Sequence, residues 1–211
     1  MVKTIYLVRH GETVGHKHGQ YKGSMDIPLS ERGAEQVRRS AEFIAADMKK
    51  EKAQEKSSLK VYCSPLSRAR RSAEIIAARL SVKSLQIDDL RERSFGRWEG
   101  MTYMEIAEKY PGEFSDWRTN PLKFSPPEGE STLEVNTRVL SVLDRILLSS
   151  SDGESIIIVA HGGVNRVLLC SFLGMPLEHI FRIEQNFAGV SIIEMWDELP
   201  VVKLLNWTSN E

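Results

Sequence analysis

The chain has 211 residues, 41% hydrophobic and 27% charged, an ordinary composition for a globular protein and enough for one domain, 1–211, with a full-sized core. Its 28 Lys and Arg against 29 Asp and Glu leave a net charge of −1, which argues against nucleic acid or a membrane surface as partner, so an anionic ligand has to be held by a local basic cluster. Two cysteines, Cys63 and Cys170, read as reduced, buried thiols, and no apolar run approaches membrane-spanning length, which makes the cytoplasm the expected compartment.

Residues 3–8 are β-branched and aromatic-rich and predict a strand. Arg9 to Arg32, with four glycines and a proline, reads as a long loop. Ala34, Val37, Ala41, Ile44, Ala45 and Met48 then fall on one face at helical spacing. The polar stretch Lys49 to Ser58 reads as a solvated connection. Leu59 to Cys63 predicts a second strand, and Ser64-Pro65 an N-cap with proline at the first helical position. The following helix shares a face through Leu66, Ala69, Ala73, Ile76, Ala77 and Leu80.

A short strand is expected at 84–87 and mixed loop and short helix over 90–130. Thr132 to Leu148 is an amphipathic helix. Ser155 to Ala160 is apolar on successive positions, as in a parallel strand covered on both faces. Gly162 to Phe172 reads as a helix, and 190–196 and 201–206 as closing strands. Alternating strands and helices predict a three-layer α/β/α sandwich with a mostly parallel central sheet.

Ligands of such sheets sit at the carboxyl ends of strands. Strand 3–8 ends at Arg9-His10-Gly11-Glu12-Thr13, and strand 155–160 at His161-Gly162-Gly163. Each delivers a histidine followed by glycine, which lets backbone approach an anion, and the helix near Gly162 would aim N–H groups at it. Strand 59–63 exits into Ser64-Pro65-Leu66-Ser67-Arg68-Ala69, placing Arg68 on a first helical turn. Two histidines and two arginines thus converge, and guanidinium forks suit phosphate oxygens. Taken singly, each of these residues also reads as a core histidine or a surface charge. Together they read as a phosphoryl site. Arg9 and Arg68 would disfavour a His10 imidazolium and keep it nucleophilic.

These segments, with Asp26 to Gly33, Leu90 to Gly100 and Gly129-Glu130-Ser131, resemble the histidine phosphatase superfamily over nearly the whole chain. That superfamily includes the cofactor-dependent phosphoglycerate mutases and the α-ribazole phosphatase-like enzymes. The resemblance implies a catalytic set of His10 as phosphorylated nucleophile, Glu92 as acid/base and His161. It implies Arg9, Arg68 and His161 on the phosphoryl oxygens, with no metal and no cofactor. A carboxyl group beside a phosphate dianion holds its proton more tightly, so Glu92 suits a proton donor to the leaving alkoxide. Two positions depart from the family pattern. His16 stands where Asn is usual, and Lys22 where Gln or Ser commonly precedes Gly23; both can still donate to phosphate.

The leading reading is a phosphatase acting on a small phosphorylated substrate. Gly19 to Ser24 looks most like the α-ribazole phosphatase-like branch. A mutase is the first rival: Arg93 follows Glu92 as it does in mutases, but Ser94-Phe95 replaces their His-Tyr and the stretch Gly100 to Gly129 is shorter than theirs. A phosphate-binding scaffold is the second rival. His16 and His18 suggest a metal pair only weakly. His179 reads as structural or exposed, and Trp98, Trp117, Phe114 and Phe124 as a lid or as packing. Oligomeric state stays open, a homodimer being the assembly considered.

Overall fold

A computed structural model describes residues 3–16, 19–51 and 58–209. The polar connection predicted from Lys49 onward falls mostly outside them, as does His18. In chain order the elements are β1 (Lys3–Arg9), α1 (Glu31–Glu51), β2 (Leu59–Cys63), α2 (Ser67–Arg79), β3 (Ser84–Gln86), α3 (Tyr103–Lys109), α4 (Pro111–Thr119), α5 (Thr132–Leu148), β4 (Ser155–Ala160), α6 (Gly162–Leu173), β5 (Val190–Trp196) and β6 (Leu199–Trp207). No helix among the described residues is long and apolar enough to cross a membrane.

The six strands form one sheet in the order β3-β2-β4-β1-β5-β6. β1–β4, β2–β4 and β2–β3 pair parallel, whereas β5 pairs antiparallel with β1 and β6 antiparallel with β5. Alternation along the strands divides the core in two. Ile5, Leu7, Ile156 and Ile158 pack with Val135, Val139 and Leu168 of α5 and α6. Tyr6, Val8, Ile157 and Val159 pack with Val37, Ile44, Ala73 and Ile76 of α1 and α2. β4 is therefore buried at every position, each isoleucine contributing about 1.5–3 kcal/mol. This is the expected three-layer sandwich. Both cysteines are free and buried, and burial pushes the Cys63 thiol up to about 11.

The register does more than build a core. β4 enters late in the chain but lies between β1 and β2, pairing Arg9 with Ala160 and Cys63 with Val159. His10, Ser64 and His161, each the first residue past its strand, therefore emerge side by side at one edge.

One local expectation fails. Ser64-Pro65 does not open α2, which starts at Ser67 with Leu66 at the cap position and no side-chain cap. The Ser64 hydroxyl is engaged elsewhere, accepting from the Leu66 amide (3.3 Å) and bonding His161 Nε2 (2.8 Å). A residue at the strand edge answers to the neighbouring strand before it answers to the helix.

Candidate active site

A cavity of about 170 Å³ opens at this edge, lined by residues that include Arg9, His10, His16, Lys22, Arg68 and Glu92. That volume is below the usual 300–1,000 Å³ of a drug-sized ligand site, so it suits a phosphoryl group with a leaving group extending outward.

His10 and His161 are buried, their ring centroids 5.1 Å apart. His10 Nδ1 lies 2.7 Å from the Gly11 carbonyl oxygen. A carbonyl only accepts, so Nδ1 carries the proton and Nε2 keeps its lone pair. Burial, then the Arg9 and Arg68 charges, hold His10 well below the ordinary histidine range, against the opposing pull of the Gly11 carbonyl. His161 is held down by burial and by His10 and the same arginines. Both imidazoles are neutral at pH 7.

The tautomer of His161 follows from Ser64. That hydroxyl accepts from the Leu66 amide, and its own proton has no acceptor among the described residues other than His161 Nε2, so it is donated there. The imidazole proton then sits on Nδ1, a buried nitrogen with no partner among the described residues. Arg9 Nε is likewise buried and unpartnered. Donors left in this state cost about 1–3 kcal/mol each unless an acceptor reaches them.

The arginines are held from behind. Arg9 donates through Nη1 to the Gln185 carbonyl (2.6 Å), and its guanidinium lies 4.1 Å from the centroid of the Phe187 ring. Burial lowers it to about 10, still charged at neutral pH. Arg68, 2% exposed, donates to the carbonyls of Met25 (2.5 Å) and Gly23 (2.7 Å). Lys22 Nζ reaches Thr13 Oγ1 (3.1 Å) and the Gly15 carbonyl (3.3 Å). His16 packs edge-on against Phe187, centroids 4.8 Å apart.

Glu92 joins the site from a segment distant in sequence. Its Oε2 accepts from the Gly163 amide at the start of α6 (3.0 Å) and its Oε1 from the Arg93 amide (3.0 Å). This corrects the expectation for that helix terminus, because one of its amides serves the carboxylate. The glycines also differ from expectation. A Cβ at Gly163 would lie 2.6 Å from Glu92 Oε1, and one at Gly11 would lie 2.3 Å from the Gly33 carbonyl oxygen. Each makes room for protein. Gly162 borders Arg9, whose Nε would be 3.5 Å from an added Cβ.

The remaining expectations sort cleanly. Arg93, the mutase-like feature, spends Nε on the Glu130 carbonyl, Nη1 on Thr132 and Nη2 on the Phe124 carbonyl. It holds the 90s segment to the start of α5. Trp98 is buried, stacks on Phe124 and meets Trp117 edge-on, while Phe114 packs on Tyr103. Those aromatics pack on one another, and the cavity is lined instead by Tyr21, Phe95 and Phe187. His179 is half-buried in a 3₁₀ turn and does not line it.

Sequence reasoning missed Ser64, Phe187 and Arg166. Arg166 lies one turn beyond Gly162 on α6, donates to the Ile183 carbonyl, and feels the charge of Glu92; helical spacing from Gly162 would have flagged it. Phe187 precedes β5, whose antiparallel direction brings its start to the edge where β1 ends. Only knowledge of that direction would have found it.

The histidine phosphatase superfamily (branch 1) matches residues 5–208. Phosphoserine phosphatase 1 of Hydrogenobacter thermophilus is 32% identical over 208 residues, spanning 99% of this chain and 93% of its own. The structure of the α-ribazole phosphatase from Shigella flexneri superposes with a TM-score of 0.83 at 26% identity, covering 97% of this chain and 96% of that one. That of Bacillus stearothermophilus YhfR gives 0.82 at 31% identity, with 98% of each chain covered.

Proposed function

Because the chain belongs to branch 1 of the histidine phosphatase superfamily, we propose that it is a phosphomonoesterase that hydrolyses a small phosphorylated metabolite through a phosphohistidine at His10. The observation that carries this reading is the His10 Nδ1 contact with the Gly11 carbonyl, which leaves a neutral Nε2 as nucleophile.

In the first step Nε2 attacks phosphorus, the P–O bond to the leaving alcohol breaks, and that oxygen takes the proton of a neutral Glu92. In the second, ionised Glu92 takes a proton from water as the water oxygen attacks phosphorus. The P–N bond then breaks, releasing phosphate and restoring His10. Arg9, Arg68, the His161 Nδ1–H, Lys22, His16 and the amide at Gly162 supply donors to the phosphoryl oxygens. These fixed charges and dipoles do the work that Mg²⁺ does in other phosphoryl-transfer sites, so the reaction is metal-independent. Free, buried thiols suit a reducing, cytoplasmic setting. The kinship with α-ribazole phosphatases and phosphoserine phosphatases makes those two phosphomonoesters the first substrates to try.

The test is hydrolysis of p-nitrophenyl phosphate in the presence of EDTA, with wild type and His10→Ala side by side. Turnover that survives chelation and drops by about 10⁴-fold or more in the variant is the result expected, together with an acid-labile phosphoenzyme in wild type only. Turnover abolished by EDTA, or retained by His10→Ala, overturns the proposal.

A further inference from the structure

Glu99 takes no part in the proposed steps, yet its carboxylate accepts three hydrogen bonds beside the site. Oε1 accepts from the Ser24 amide (2.7 Å), the Ser24 hydroxyl (2.8 Å) and the Phe95 amide (3.1 Å). The Ser24 amide and the Gly23 carbonyl belong to one planar peptide group. On the carbonyl side of that same group, Arg68 Nη2 donates to Gly23 O (2.7 Å). A guanidinium, a single peptide unit and a carboxylate therefore stand in series, cation to oxygen and N–H to anion. Each charge polarises the peptide in the sense that strengthens the other's hydrogen bond.

The surroundings are built for this contact. Gly23 has φ +46°, and a Cβ there would lie 2.3 Å from Glu99 Oε1 and 2.9 Å from the Arg93 carbonyl oxygen. Any side chain at this position would push the carboxylate off the peptide. The flanking loops are clipped together as well, Gly100 N donating to Tyr21 O (2.7 Å) and Tyr21 N to Met101 O (3.0 Å). Arg68 is buried, and Glu99 is among the charges that offset the burial.

We infer that Glu99 is a positioning residue that sets the guanidinium of Arg68 through the Gly23–Ser24 peptide, and so tunes the affinity of the site for the phosphoryl group. Two of the five N–H donors of Arg68 are committed to the Gly23 and Met25 carbonyls. Those bonds fix the plane in which the rest are offered. Misplacement by a fraction of an ångström is costly at a site whose catalysis is largely positioning.

The inference rests on the phosphatase reading, and the experiment keeps the two apart. Inhibition by inorganic phosphate and turnover of p-nitrophenyl phosphate are measured for wild type, Glu99→Ala, Glu99→Gln, Arg68→Ala and the Arg68→Ala/Glu99→Ala double variant. Expected for Glu99→Ala is a phosphate Ki and a KM each raised about tenfold, with a smaller fall in kcat. Glu99→Gln, whose amide oxygen still accepts from Ser24, stays within about threefold of wild type. The double variant performs no worse than Arg68→Ala alone, since the peptide then has no arginine to hold. If Glu99→Ala does not fold, Glu99→Asp carries the test, with a smaller rise in Ki. An unchanged Ki in a folded Glu99→Ala or Glu99→Asp variant overturns the inference, as do effects that multiply in the double variant. Wild type silent in both assays sinks the phosphatase reading and this inference with it.

Discussion

Two regions of this molecule bury arginine, and they treat it differently. Between residues 88 and 138, Arg93 has a protein acceptor on each of its three nitrogens. Arg138 grips both Glu130 oxygens (2.8 and 2.9 Å) and reaches the carbonyls of Asp89, Arg91 and Glu92. At the strand edge, Arg9 keeps a buried Nε with no partner among the described residues, beside a His161 Nδ1 in the same condition. A saturated guanidinium is a strut. An unsaturated one beside the proposed nucleophile is, on the proposed function, a docking point, because the cost of leaving its bond unmade is recovered only by a ligand. The strut has a purpose too, since Arg138 holds the backbone of Glu92, whose carboxylate serves the site.

The contrast is broken most directly by exchanging its predicted consequences. Arg68→Ala should lower kcat/KM for p-nitrophenyl phosphate by roughly 10²–10³-fold, as for the loss of one preorganised charge-stabilising donor. Activity within a fewfold of wild type would take Arg68 out of the site. Arg93→Ala should do the reverse, costing about 3 kcal/mol of stability in a denaturant titration through the loss of hydrogen bonds from a charged donor, while the phosphate Ki moves less than about threefold. A large change in Ki with unchanged stability would return Arg93 to substrate binding and revive the mutase reading.

A smaller effect sharpens the comparison through pH. His10 and His161 have folded-state pKa values below the unfolded value near 6.5, so the unfolded chain binds protons first as pH falls. Stability from these groups is therefore complete above about pH 6.5 and declines below it, by at most about 1.4 kcal/mol per pH unit for each histidine. Unfolding midpoints measured between pH 7 and 5 should fall less steeply in His161→Asn than in wild type. Equal slopes would contradict the burial argument for His161. His10 itself should contribute no acid limb near pH 6.5 to kcat/KM.

Much of this could be read from residues in order. Hydrophobic periodicity placed the strands and long helices, since one-sided burial repeats every 3.6 residues in a helix and a strand covered on both faces is apolar throughout. The convergence of Arg9, His10, Arg68 and His161 was legible because a parallel sheet presents the carboxyl ends of its strands together at one edge.

What the chain order does not contain is adjacency across the sheet and direction within it. The insertion of β4 between β1 and β2 puts Ser64 on His161, and the antiparallel entry of β5 brings Phe187 over Arg9. The same holds for Glu99, which meets Ser24 across a gap of 75 residues, and for the division of arginines into struts and docking points. Hydrogen-bond saturation is a property of three-dimensional neighbours. A guanidinium looks the same in sequence whether its donors are spent on carbonyls or kept for phosphate.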